Sequence, residues 1–367
     1  MPDFAARQAK LRALLSEADA VALVPGSNLR YFTGLDFHIS ERPTVAVFTA
    51  DGLSLIVPEL EMPRILARPD LEARPFIWND REGYQAAFAD LVKTLGLKTL
   101  AIDGLTMRAF EMMTLQDGAA QAHSRLRIEN VAAGLLSIRA IKEAEEVAAM
   151  RQAARISEAA LDQVLAWVQP GVSEEAICRR LSEEMQALGA YQLAFEPLVQ
   201  SGPNSALPHG NSGARALQED EFLLIDWGAK YHEYPADLTR TFCLGTATAE
   251  MQRIYDTVRR ANEAGIAAAA PGVACEAVDS AARRVIADAG YGQYFIHRTG
   301  HGLGVDTHEL PQIAAGVSAP LLPGMVFTVE PGIYIPGLGG VRIEDNVHIT
   351  ESGADVLSSY RKSLAVR

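Results

Sequence analysis

Four acidic residues interrupt apolar, strand-like runs of this chain: Asp226 in Leu-Leu-Ile-Asp, Asp237 before Leu-Thr-Arg-Thr-Phe, Glu330 in Phe-Thr-Val-Glu, and Glu344 in Val-Arg-Ile-Glu. A carboxylate inside a strand core is costly unless it is paired or holds a metal. Any fold must therefore bring these four to counter-charges or leave them at solvated strand ends. The runs come in two pairs. Phe222 to Asp226 and Asp237 to Leu244 flank a loop containing Gly228 and Pro235, while Val326 to Tyr334 and Val341 to Ile349 flank Pro336-Gly337-Leu338-Gly339-Gly340. Both pairs read as hairpins with turn chemistry in the middle, so the acids occupy matched positions. Separate strand-end acids, each solvated or bonded to Arg or Lys, are the plainer reading; the repetition favours a single site.

A fifth member is His301, in the Gly-rich stretch His297-Arg-Thr-Gly-His301-Gly-Leu-Gly, with His308 downstream and His209 upstream in Leu-Pro-His-Gly. Two Asp, two Glu and one His are hard oxygen donors with one borderline nitrogen. That set suits Mn²⁺, Co²⁺ or Zn²⁺ in a bridged pair better than a structural zinc, which prefers thiolates. The three cysteines, Cys178, Cys243 and Cys275, have neither metal-site nor disulfide spacing and are expected to be small buried hydrophobes.

The 367 residues are long for one core, which favours two domains. Residues Phe4 to Leu15 have helical spacing, Ala20 to Val24 is a short apolar run, and Thr44 to Thr49 and Leu53 to Val57 surround the turn signal Ala50-Asp51-Gly52. Tyr84 to Leu95 reads as a helix and Thr99 to Ile102 as a buried strand, giving α/β alternation. The texture changes near residue 132. Ser137 to Trp167 reads as one long helix whose Arg139, Lys142, Glu143, Glu145 and Glu146 form a charged face. Ser173 is placed to cap a further helix, with Glu174 and Glu175 in its first turn, and Glu250 to about Ala268 reads as another. With 46 acidic against 33 basic residues and a net charge of −13, neither nucleic acid nor an anionic membrane surface is expected as a partner. The first sixteen residues lack a signal-peptide pattern, and no run approaches the roughly 18 apolar residues of a spanning helix; a cytoplasmic protein is the expectation.

These motifs resemble the pita-bread metallopeptidases: prolidase (Xaa-Pro dipeptidase), aminopeptidase P and methionine aminopeptidase. The spacings of Asp226, Asp237, His301, Glu330 and Glu344 are similar to the prolidase branch, as are Asn28-Leu-Arg-Tyr-Phe-Thr-Gly34 and Ile141-Lys-Glu-Ala-Glu-Glu. The resemblance implies an α/β N-terminal domain over residues 1–131 and an α+β pita-bread (creatinase/aminopeptidase-like) catalytic domain over residues 132–367. It implies a two-metal hydrolase, with Mn²⁺ foremost, acting on an Xaa-Pro bond at the amino end of a dipeptide or short peptide. Asp226 would chelate one metal, Asp237 and Glu344 would bridge both, and His301 and Glu330 would complete the second, Glu330 also accepting a proton from the attacking water. His308 and His209 would assist at the scissile carbonyl and the leaving nitrogen, and Arg342 would orient carboxylates. Phe195 and Arg298 would line the proline pocket, with Arg298 pairing to a dipeptide carboxylate or else bracing the His301 turn. His297 would touch substrate or support the turn. His38, in Asp36-Phe-His-Ile, would reach a partner's site in a homodimer or simply lie on a surface loop. Gln312 stands where some prolidases carry Arg, which keeps aminopeptidase P open, and a non-peptidase or binding protein on the same fold remains a reading of another class.

Overall fold

The computed structural model of the protein describes residues 2–15, 18–208 and 210–366. The chain forms two compact units, Met1–Ile138 and Arg139–Arg367.

In the first unit, helices α1 (Phe4–Arg12), α2 (Ser27–Thr33), α3 (Met62–Leu66), α4 (Gln85–Leu95) and α5 (Ala109–Gln121) accompany six strands: β1 (Ala20–Leu23), β2 (Val45–Thr49), β3 (Leu53–Pro58), β4 (Arg74–Trp78), β5 (Thr99–Ile102) and β6 (Arg127–Asn130). The strands form one mixed sheet in the order β4-β3-β2-β1-β5-β6. Its central strand β1 is buried at every residue, which explains a continuous apolar run rather than an alternating one. Helix α4 sends Ala87, Phe88, Leu91 and Val92 into the core beneath the sheet and stops at Gly96, which takes the left-handed conformation at φ 63°. The β2–β3 hairpin forms around Ala50-Asp51-Gly52 as its turn signal implied. Helix α2 covers Asn28 to Thr33, and Gly34 caps it in the left-handed conformation at φ 69°.

Helix α6 (Ala132–Ala140) spans the division between the units, and α7 runs from Ala144 to Trp167. The single helix expected over Ser137 to Trp167 is thus two. Glu143 is the N-cap of α7 in a reciprocal capping box with Glu146, whose Oε2 accepts the Glu143 N–H at 2.8 Å. Just before it, Ile141 bridges Met325, and the Lys142 N–H donates to the Gly324 carbonyl at 2.8 Å. This interruption overturns the charged face as well, because Arg139 and Lys142 are buried.

The second unit continues with α8 (Glu174–Ala187), capped by the Ser173 hydroxyl as expected, α9 (Ala249–Ala268) and α10 (Cys275–Asp288). Strands β7 (Gln192–Leu193), β8 (Leu198–Ser201), β9 (Glu221–Trp227), β10 (Ala229–Tyr231), β11 (Tyr234–Pro235) and β12 (Leu238–Leu244) form two three-stranded sheets, β12-β9-β8 and β11-β10-β7. Strands β13 (Gly300–Gly302), β14 (Glu309–Ile313), β15 (Val326–Val329), β16 (Gly332–Ile335), β17 (Gly339–Arg342), β18 (Asp345–Thr350) and β19 (Gly353–Val356) form a five-stranded sheet, β14-β13-β15-β18-β19, and the pair β16-β17. Helices α7 and α8 pack Leu161, Val164, Ile177 and Leu181 against Ile225, Trp227 and Leu238. Helix α9 contributes Ile254 and Val258 against Ile333, Val341 and Ile343, while α10 sets Cys275 and Val278 against Phe327, Val329 and Val347. The second hairpin read from the sequence is not continuous. Its strands break after Val329 and after Arg342, so β16-β17 leaves the five-stranded sheet. Pro331 cannot donate to a ladder, and the breaks fall at the two glutamates, Glu330 and Glu344. All three cysteines are buried and unpaired. Among the described residues, no helix is long and apolar enough to cross a membrane.

Candidate metal centre

The register of β9 and β12 explains why two aspartates eleven residues apart meet. Asp226 pairs across the ladder with Thr239, and Asp237 lies two residues before Thr239. Side chains at i and i+2 share a sheet face, so Asp226, Thr239 and Asp237 all point one way. Their neighbours Ile225, Trp227 and Leu238 point the other way, into the core with α7 and α8. Asn346 of β18 fixes the backbone of Asp237 twice, accepting from its N–H at 3.1 Å and donating to its carbonyl at 2.6 Å. Glu344 is tied to the same sheet: its N–H donates to the Thr239 carbonyl at 3.0 Å, and its Oε2 accepts the Thr239 hydroxyl at 2.7 Å.

His301 enters from β13. Its N–H donates to Thr328 Oγ1 at 3.1 Å and its ring Nδ1 lies 3.1 Å from the Gly302 carbonyl. A carbonyl only accepts, so Nδ1 carries the proton and Nε2 presents a lone pair. That lone pair faces Glu330 Oε1 at 3.3 Å and Asp237 Oδ2 at 3.7 Å. Burial, and next the neighbouring His308, lower the His301 pKa to about 3, so the ring is neutral. Lone pairs on three converging atoms need a cation or shared protons among them. Among the described residues, ligand atoms of Asp237, His301 and Glu344 all lie within 4.8 Å of one another. Glu330 joins through His301, whereas Asp226 lies outside this tight group, and its Oδ2 accepts from Arg342 at 2.5 Å.

The electrostatics are those of a site built for positive charge. Burial raises the Asp237 carboxyl well above its usual range, with Asp226 and Glu330 adding to the shift. Glu344 is raised likewise by burial, then by Asp237, Glu330 and Asp226. Glu330 is pushed up to about 7 by burial, with Arg342 opposing and Asp226 reinforcing. Burial works against the Arg342 guanidinium too, but Tyr334 and the carboxylates of Asp226, Glu330 and Glu344 outweigh it. Each raised carboxyl is one whose charge is unsatisfied by protein alone, which the donor set of hard oxygens and one imidazole fits to divalent cations.

All five residues line one cavity of about 980 Å³, together with Phe195, His297, Arg298, His308 and Arg342. His308 stands with its ring edge-on to His301, centroids 4.1 Å apart. His209 lies outside the described residues; its neighbours Pro208 and Gly210 line the cavity. His38 is exposed on a loop of the first unit, and the cavity's lining residues all belong to the second. His297 has both ring nitrogens engaged: Nδ1 against the Arg298 carbonyl at 2.7 Å and Nε2 against the Tyr334 hydroxyl at 2.9 Å.

Residues that sequence reasoning passed over hold this arrangement. Tyr334 Oη accepts from Arg342 at 3.0 Å, and Arg342 Nε donates to the Thr239 hydroxyl at 3.1 Å, so one chain of bonds runs from His297 through Tyr334, Arg342 and Thr239 to Glu344. Glu174, read only as a first-turn acid, is buried and accepts from the N–H groups of Ser201 at 2.7 Å and Gly213 at 3.1 Å, tying α8 to the end of β8 and to the residue after the cavity-lining Ser212.

The model of metallopeptidase family M24 matches residues 148–351, and that of the creatinase/prolidase N-terminal domain matches residues 7–141. An uncharacterized peptidase of Bacillus subtilis is 34% identical over 364 residues, covering 97% of this chain and 99% of its own. A dipeptidase from Pyrococcus horikoshii superposes with a TM-score of 0.91 at 35% identity, over 98% of this chain and 99% of that one. A prolidase from Thermococcus sibiricus superposes at 0.92 and 32% identity, over 100% and 99%. The expected fold class, a creatinase-type α/β domain followed by a pita-bread domain, is the one these structures share. With a buried acid–imidazole cluster in the matched region and likeness along its whole length, the chain belongs to metallopeptidase family M24.

Proposed function

We propose that the cavity binds two divalent cations, Mn²⁺ by preference, and hydrolyses the Xaa-Pro bond of dipeptides. The observation that carries this reading is the neutral His301 Nε2 aimed at Glu330 and Asp237, with Asp226 and Glu344 lining the same cavity. Asp226 would hold one cation, Asp237 and Glu344 would serve both, and His301 and Glu330 would complete the second. When bound, such cations polarise the scissile carbonyl and acidify water. Glu330 takes the proton released at the attacking water. His308 and His209 hold the carbonyl oxygen and deliver a proton to the proline nitrogen, which has no N–H of its own before cleavage. Arg342 holds Asp226 in place, as its 2.5 Å contact allows.

Phe195 offers a ring face to the prolyl ring, and Arg298 pairs with the dipeptide carboxylate. The prolidase and dipeptidase likenesses support this choice of substrate. Gln312 favours the second reading, an aminopeptidase P acting on longer Xaa-Pro peptides, where no carboxylate sits beside the proline. His297, with both nitrogens occupied, supports the turn. A cytoplasmic homodimer, with His38 at the partner's site, completes the proposal; sedimentation of the purified protein reads its mass. Proline release from Xaa-Pro against Xaa-Pro-Yaa peptides, before and after metal stripping, tests the whole. Release from longer peptides alone overturns the dipeptidase reading.

A further inference from the structure

The turn that carries His308 is anchored from below by charges the proposed chemistry does not use. The Glu309 side chain is fully buried, and so, within a few per cent, are Arg139 and Lys142. Glu309 accepts from Arg139 Nη2 and from Lys142 Nζ, the latter at 3.1 Å. It also accepts the Asp306 N–H at 3.0 Å, closing its own turn, and Asp306 pairs with Arg139 at 2.6 Å. Lys142 is itself pinned, donating from Nζ to the Arg139 carbonyl at 2.7 Å and from its N–H to Gly324. Gly304 makes room: a Cβ there would stand 2.3 Å from Glu309 Oε2. Both ends of the turn are thus held, at Asp306 and at Glu309, and the residues between them, Thr307 and His308, line the cavity.

Burying such a carboxylate with two cations is a poor way to gain stability, since apolar residues of similar volume do as well or better. What fixed charges and directional hydrogen bonds do supply is a defined register. His308 is the bend residue directly before β14, joined by one peptide to the pinned Glu309, and its ring lines the cavity edge-on to His301, so holding Glu309 restricts where that imidazole can stand. We propose that Glu309, gripped by Arg139 and Lys142, is a positioning residue that sets the His308 ring for proton delivery. The inference rests on the role given to His308 above.

The test is a double-mutant cycle on Xaa-Pro dipeptide hydrolysis with Glu309→Gln and His308→Ala, each scored for kcat, KM, bound metal and Tm. Glu309→Gln keeps the shape and loses the charge. It is expected to lower kcat about 10- to 100-fold, as displacement of a catalytic group by about 1 Å does, with KM within about twofold and metal retained. In the His308→Ala background the same substitution is expected to cost less than about twofold, because a residue acting through another has nothing left to position. In the metal-free protein the His308 ring Cε1–H resonance, identified by its loss in His308→Ala, is expected to move in Glu309→Gln. Should Glu309→Gln fail to fold, Lys142→Gln, which removes one of the two cations, takes its place in the cycle with a smaller loss expected. Equal kcat losses in both backgrounds, or an unmoved resonance, overturn the inference while leaving the reaction assignment intact. Wild-type turnover in His308→Ala overturns the role of His308 and this inference with it.

Discussion

Removing metal should make the stability of this protein fall as pH rises from 6.5 to 8. In the metal-free fold, burial raises Glu330 from 4.5 to about 7 and holds Asp237 and Glu344 well above their usual range. His301 is displaced the other way, from 6.5 to about 3, chiefly by burial. Between pH 4.5 and 6.5 these oppose one another: the carboxyls gain stability from acid, and His301 loses it. At pH 6.5 the unfolded histidine is half protonated and sheds the rest by about 7.5, so the opposition from His301 fades across the window, while Glu330, at about 7 in the fold, gives up a proton that the unfolded chain released at lower pH. The folded state then binds more protons, and stability falls by about 1.4 kcal/mol per pH unit for each extra proton. With its folded value at about 7, Glu330 contributes about 0.8 kcal/mol across that window against about 0.4 kcal/mol of opposite sign from His301, a net fall of roughly 1–2 °C in Tm for a domain of this size, and protons retained on Asp237 and Glu344 add to it. Calorimetry of chelator-treated protein at pH 6.5, 7.2 and 8.0, at constant ionic strength, reads the slope directly. Glu344→Gln should flatten it. Added Mn²⁺ should raise Tm more at pH 8.0 than at 6.5, because the ligands bind metal only when deprotonated. A metal-free Tm that is level or rises across this window refutes the burial argument.

Three further outcomes follow from the site. His301→Ala should lose bound metal, whereas His308→Ala and His209→Ala should retain it and lower turnover roughly a hundredfold or more; elemental analysis beside kinetics separates the two, and metal loss in His308→Ala would void the division. Arg298→Ala should lower kcat/KM for Xaa-Pro dipeptides by roughly 10- to 150-fold, the worth of a charge-assisted contact, yet alter longer peptides only a few-fold; equal losses on both would make Arg298 a brace. Thr239→Val removes the hydroxyl between Arg342 and Glu344 and should weaken metal binding about 10- to 100-fold in a competition titration without unfolding the protein; unchanged affinity would show that the hydroxyl does not orient Glu344.

The carboxylates were legible because a charge in an apolar run is an energetic anomaly visible one residue at a time. Thr239, Asn346 and Tyr334 were not, because each is an ordinary strand residue whose importance arises from cross-strand register. The broken helix had a local signal, the Glu143–Glu146 capping box, obscured by a glutamate where Ser or Thr is usual. Missing that break put Arg139 and Lys142 on a solvent face by periodicity, when the pairing of residues 141 and 142 with the 324–325 segment turns them inside. Pro331 likewise marked the end of β15. Helix α10 is amphipathic, burying Cys275, Val278, Ala282 and Ile286, a helical spacing that the sequence itself carries.

The central claim is that two divalent ions held by Asp226, Asp237, His301, Glu330 and Glu344 cleave an Xaa-Pro bond. Stripping the protein, returning Mn²⁺ in steps, and following bound metal by elemental analysis together with proline release from an Xaa-Pro dipeptide tests it most directly. No release is expected from the stripped protein, and full release only as occupancy reaches two ions per chain. Full activity in the metal-free protein, or none at full occupancy, contradicts it.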